Sequence, residues 1–129
     1  MDIVSALFCE NINLRQVPGP STRIDLSGIM FSLPAPSEPP VTITPHLIVF
    51  VRCRPDEPGD AILEVQFKDE GGEEVARNAS PFTVEPGKFT YRLVRAELTY
   101  EKLGTVEAHC RVDRGPFTVV PLTLLPPAE

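Results

Sequence analysis

Two histidines and three cysteines are the side chains in this sequence best suited to nucleophilic or metal chemistry. A nucleophilic site needs a thiol or hydroxyl, a base to accept its proton, and a third group that orients the base. His109 stands next to Cys110, but in a strand neighbouring side chains leave opposite faces, so the two cannot act as a pair. Cys9 or Cys53 with His46 remains a spatial possibility that no local motif supports. There is no Cys-x-x-Cys or His-x-x-x-His spacing, so a zinc site would have to be assembled from His46, Cys53, Glu107 and His109 on separate elements. The acidic run Asp69-Glu70-Gly71-Gly72-Glu73-Glu74 offers oxygen ligands but lacks the regular alternation of a calcium loop. It reads as the solvated tip of a hairpin. Its double glycine is flanked by acids, which would repel a nucleotide phosphate. Glu97, Glu101 and Glu107 supply carboxylates without a reason to prefer any pair. The residues therefore imply no enzyme, no cofactor and no metal, and the three cysteines read as small core hydrophobes.

Charge narrows the partners. Eighteen acidic residues against twelve basic ones leave a net charge of −6. Phosphate backbones and anionic membranes attract clustered lysine and arginine, so neither nucleic acid nor a membrane is expected as a partner. No segment approaches the ~20 apolar residues that span a bilayer. The opening MDIVSALFCEN carries an acid and no basic segment, and it is read as a first strand; a cytoplasmic location is the expectation. Three cysteines, an odd number at long spacings, suit free thiols in a reducing compartment better than a disulfide scaffold.

The elements that must position these groups are set by proline and glycine. Fifteen of 129 residues are proline, against an ordinary share of ~5%. Breaks fall at Val17-Pro18-Gly19-Pro20, at Pro34 to Pro45, at Pro55 to Gly59, at Gly71-Gly72 and at Pro86-Gly87. A proline inside a helix costs about 3 kcal/mol, and the gaps left between breaks are strand-sized. Period-two alternation fills them. Leu63, Val65 and Phe67 face one way while Glu64, Gln66 and Lys68 face the other; Val106, Ala108, Cys110 and Val112 oppose Thr105, Glu107, His109 and Arg111. Phe89, Tyr91 and Leu93 suggest a third apolar face. Arg95 and Glu97 would then enter the core, and a bulge shifting the register toward Ala96 and Leu98 would repair this. His46 to Arg54 is apolar on both faces, as a central or doubly covered strand is. Ile3 to Cys9, Arg23 to Leu33, Glu73 to Asn78 and Phe117 to Leu125 complete about eight strands. Pro121 asks for an edge position or a bulge. The one weak helical candidate is Thr99 to Leu103. The expectation is an all-β chain: one antiparallel β-sandwich over residues 1–125, immunoglobulin-like in outline, with a frayed tail at 126–129 and Pro34–Pro45 as a crossover between sheets.

The order of an apolar first strand, Leu26-Ser27-Gly28-Ile29, the Asp69-Glu70-Gly71-Gly72 hairpin, and Leu103-Gly104 followed by Arg111-Val112-Asp113 and Phe117 to Leu122 resembles a family of short bacterial single-domain proteins of unknown function. That resemblance implies a β-sandwich and carries no functional residues. Immunoglobulin domains are a looser comparison, because this chain has no tryptophan and Ala108 stands where their tyrosine precedes the second cysteine.

Two surface features are candidate interaction sites. If Phe89–Leu93 and Thr105–Val112 pair as neighbours, Arg92, Glu107, His109 and Arg111 share a polar face able to meet an anionic group or a partner protein. If the sheet is covered on one side only, Ile48 and Phe50 form an exposed apolar patch. The expected function is a non-enzymatic protein-interaction or accessory module, possible as a homodimer. The alternative is a small-molecule site in the loops around 34–45 and 55–59.

Overall fold

The computed structural model describes residues 1–19 and 21–128. It is all-β, with eleven strands: β1 (Asp2–Val17), β2 (Ser21–Met30), β3 (Ser32–Pro34), β4 (Val41–Ile43), β5 (His46–Arg52), β6 (Asp60–Lys68), β7 (Glu74–Thr83), β8 (Phe89–Arg95), β9 (Leu98–Tyr100), β10 (Gly104–Val112) and β11 (Thr118–Leu125). A first sheet has the order β2-β1-β5-β8, a second the order β3-β11-β10-β6-β7, and β4 and β9 form a separate ribbon. All pairs are antiparallel except β3 with β11. The two sheets enclose one core, to which Ala6, Phe8, Leu47, Val49 and Val51 contribute from the first and Leu63, Val65, Phe67, Val106, Ala108, Cys110 and Leu122 from the second. This is a β-sandwich.

The alternation read from β6 and β10 is the alternation observed: Leu63, Val65, Phe67, Val106, Ala108 and Cys110 are buried, and their polar neighbours face water. The three strands beyond the expected eight are the three-residue pieces β3, β4 and β9, too short to show a period. Two of them lie around the proline-rich stretch, which does cross between layers: β3 hydrogen-bonds in the second sheet and β5 in the first. Thr99 to Leu103 is not helical; it is strand through Tyr100 and then a bend. The Tyr100 hydroxyl donates to the Leu122 carbonyl at 2.8 Å, tying the ribbon to the second sheet. Pro121 sits opposite Glu107 of β10, while β3 reaches only Thr123 to Leu125 on the other side. Its missing N–H therefore interrupts no ladder. Beyond β11 the tail to Ala128 has no regular structure, and Glu129, like Pro20 of the first proline break, lies outside the described residues.

The largest departure from expectation is β8. Its register with β5 is continuous from His46↔Arg95 to Arg52↔Phe89, with no bulge. Val94, opposite Leu47, faces the core, so Thr90 and Arg92 share that side. Phe89, Tyr91 and Leu93 point outward. Ala96, Leu98 and Tyr100 keep the even parity, and all three belong to or pack on the core. No bulge is needed, because Phe89, Tyr91 and Leu93 lie on the outer face and Arg95 and Glu97 follow them there. Alternation reports that two faces differ without saying which is covered.

Burial makes the core sensitive to alkali. The Cys110 thiol, fully buried, is pushed up to about 12 from an ordinary 9.0 by desolvation. The unfolded chain loses this proton near 9.0 and the folded chain only near 12. The folded state thus gains nothing and loses nothing below that window, and through it stability falls by about 1.4 kcal/mol per pH unit. Urea unfolding of wild type and Cys110→Ala across that range checks this: the variant should show a shallower alkaline decline, and equal slopes would reject the assignment.

Candidate functional site

The outward face of the first sheet is apolar. Cross-strand register aligns Ser5, Phe50 and Tyr91 in one row, and Leu7, Ile48 and Leu93 in the next. Phe89 lies opposite Arg52 and stacks on Phe50, ring centroids 5.7 Å apart and 18° from parallel. A bulge at Val4, between Ile3 and Ser5, sets this parity: it lets Ile3 pack on the core below while Leu7 stands on the outside. Ile48 is 0% exposed yet does not belong to the core cluster. It lies in the middle of the patch, in register with Leu7 and Leu93 and two residues from Phe50. The accessible surface comes from Phe89, 57% exposed, and Leu93, 39% exposed, with Phe50 and Tyr91 half-buried beside them. Of the two residues singled out from sequence, Phe50 is part of the accessible surface and Ile48 supports it. Leu7, Phe89, Tyr91 and Leu93 were missed. For β8 the available signal was the clash with Arg95 and Glu97, which also disappears if the strand is turned over.

The outward face of the second sheet is mixed: ion pairs run across β6, β7 and β10, and Ile62, Phe117 and Val119 are exposed beside them. Arg111 Nε donates to Glu64 Oε1 at 2.8 Å, Gln66 Nε2 donates to the same oxygen at 3.0 Å, and Arg77 reaches the other carboxylate oxygen at 3.7 Å. Desolvation pushes the Glu64 carboxyl upward, but the hydrogen bonds from Arg111 and Gln66 and the two guanidinium charges outweigh it and hold the group below its ordinary value. The Arg111 guanidinium also lies 4.6 Å from the Phe117 ring centroid, and His109 meets the same ring edge-on. His109 Nε2 is 3.3 Å from Glu107 Oε1. Glu107, His109 and Arg111 do share a face, but His109 is engaged with Glu107 and Arg111 with Glu64 of β6.

Arg92 is not with them. β8 pairs with β5, whereas β10 lies between β11 and β6, so the neighbouring-strand premise fails. Arg92 is on the inner side of β8, opposite the core residue Val49. Its guanidinium reaches toward the Phe82 ring at 6.0 Å, and among the described residues nothing accepts a hydrogen bond from its buried Nε. It fills the open flank of the sandwich between the two edge strands β8 and β7.

The remaining candidates separate. Cys9 and His46 face each other across β1 and β5. Burial raises the Cys9 thiol above its ordinary value, which keeps it protonated, and His46 Nδ1 is engaged with the Glu10 carbonyl at 3.0 Å. A protonated, fully buried thiol is a poor nucleophile. Cys53 lies just past the far end of β5 from His46, and Glu107 and His109 sit on the other sheet, so the four zinc candidates do not converge. Among the described residues no three His, Cys, Asp or Glu side chains cluster as metal ligands. The acidic hairpin is internally engaged: Asp69 Oδ1 accepts from the Gly71 and Glu73 amides at 2.9 and 3.0 Å, and Glu70 Oε1 from the Thr105 amide at 2.7 Å. The loops at 34–45 and 55–59 flank opposite ends of β5, roughly 20 Å apart at strand rise, so one small molecule does not touch both. Among the described residues no helix is long and apolar enough to cross a membrane. No family model matches the chain, and no curated protein matches its sequence.

If the outward face of the first sheet is surface rather than core, Phe89→Ser with Leu93→Ser should cost little stability, within about 1.5 kcal/mol once the lost ring stack is counted. Retention on a phenyl column should drop sharply. Unfolding of the double variant at room temperature would place these side chains in the core instead.

Proposed function

We propose that this chain is a non-enzymatic protein-interaction or accessory module that binds through the outward face of its first sheet. The observation that supports this most directly is the row of Phe50, Tyr91, Leu93 and Phe89 over Ile48. Contiguous exposed apolar surface is disfavoured on a soluble monomer, and aromatic residues are enriched at the centres of protein interfaces. The charges on the outward face of the second sheet are largely engaged with one another; Glu107, His109 and Arg111 enter this reading only as a secondary polar surface. Three unpaired thiols suit a reducing, cytoplasmic setting.

Affinity capture from the lysate of the source cell tests the reading. Wild-type bait and the Phe89→Ser/Leu93→Ser bait should differ in one or a few stoichiometric partners, captured only by the wild type. Identical captures by the two baits would remove this face from consideration.

A further inference from the structure

β8 is an edge of the first sheet and β7 an edge of the second. β8 pairs only with β5, and among the described residues no backbone hydrogen bond outside that ladder reaches Phe89 to Arg95. A free edge offers a row of unpaired N–H and C=O groups, a template for a further strand. The inner side of this edge is polar. Register with β5 turns Thr90 and Arg92 inward with Val94, opposite Val51, Val49 and Leu47. Register with β6 turns Asn78 and Ser80 of β7 inward, opposite Val65 and Leu63. All four polar residues are half-buried. Neither Ala76 to Phe82 of β7 nor Phe89 to Arg95 of β8 contains an acid.

Arg92 is the centre of this flank. Its Nε is buried, and among the described residues it meets no hydrogen-bond acceptor. Its guanidinium joins no ion pair among them either. The Phe82 ring, 6.0 Å away, offers a π-surface but no lone pair. A buried cationic donor left without an acceptor is costly. The surrounding strand is also basic. From Lys88 to Arg95 the chain holds Lys88, Arg92 and Arg95 and no acid, against a net charge of −6 for the whole; Glu85 and Glu97 stand beyond the two ends.

An inward-pointing charge is one way an edge strand refuses a neighbour. An added strand with an apolar side chain beside Arg92 would bury the charge unpaired. An added strand with a carboxylate there would satisfy it. The same residue therefore rejects apolar strands and selects an acidic one. A carboxylate suits this flank better than a phosphate group. Its two planar oxygens match the guanidinium fork, and a single cation balances one carboxylate but not a dianion.

We propose that β8 takes an extended acidic segment of a partner protein as an added strand, with an aspartate or glutamate carboxylate turned inward to accept from Arg92 Nε. Thr90 beside it, and Asn78 and Ser80 across the flank, supply neutral hydrogen-bonding groups. This goes beyond the reading of the outward patch, which uses Phe89, Tyr91 and Leu93 on the other side of the same strand.

Two blocked peptides of alternating valine and threonine test it, identical except for a central glutamate in one and a glutamine in the other. Each is titrated into the isotopically labelled full chain. The glutamate peptide should shift the Arg92 Nε–H resonance to saturation and protect β8 amides from hydrogen exchange. The glutamine peptide should bind at least ~tenfold more weakly, because charge-assisted hydrogen bonds are the stronger kind. Arg92→Met should bind the two peptides alike, with circular dichroism checking that the sandwich persists. Equal binding of the two peptides by wild type overturns the proposal and needs no variant. So does a glutamate peptide that leaves the Arg92 resonance or the β8 amides unchanged. Acetate that shifts Arg92 as strongly as the peptide at equal concentration overturns the added strand and marks a site for free carboxylates. None of these results touches lysate partners that depend on Phe89 and Leu93, so the two readings fail separately.

Discussion

The two-sidedness of an extended chain governs this molecule. Successive side chains leave a strand on opposite faces, and β5 is apolar on both. Leu47, Val49 and Val51 close the core, while Ile48 and Phe50 stand behind them on the side the second sheet never reaches. β1 and β8 carry the same doubling: Phe8 against Leu7, and Val94 against Leu93. The first sheet thus has more apolar surface than one sandwich can bury. Folding spends one face, and the chemistry of the other remains available for association.

The second sheet resolves the same geometry differently. Its inner face supplies Leu63, Val65, Phe67, Val106 and Cys110 to the core, and its outer face is tied by Glu64, Arg77 and Arg111 with Phe117 beneath the guanidinium. Pairing and solvation leave that surface with little unspent capacity. The two layers differ outwardly: stacked aromatic rings stand on the first, and ion pairs interspersed with Ile62, Phe117 and Val119 on the second. Arg92 marks the boundary: placed inward by the parity of β8, it turns its guanidinium toward the Phe82 ring at the open flank, with its Nε buried.

Much of the architecture was legible because proline and glycine divide the chain into strand-sized pieces and β6 and β10 alternate cleanly. The double apolarity of β5 also pointed to two kinds of neighbour. What misled was β8. Phe89, Tyr91 and Leu93 look like a core face when read alone, and Arg92 looks like a surface residue. The three-residue strands had no period to detect, and the run of β1 beyond β5 was hidden because Asn11 to Val17 resembles a strand end in polarity while Ile24 and Leu26 resemble a second strand of ordinary depth.

From the sequence by itself follow the strand-rich class, the absence of chemistry-bearing motifs, and which side chains share a face of each strand, all of them consequences of local sterics and period two. Which face of each strand became interior, that β8 joined β5 rather than β10, and that the second half of β1 runs past β5 with only β2 beside it were decided by tertiary pairing. Those choices depend on how many neighbours a strand finds and on which side the second layer arrives, and no local pattern encodes either.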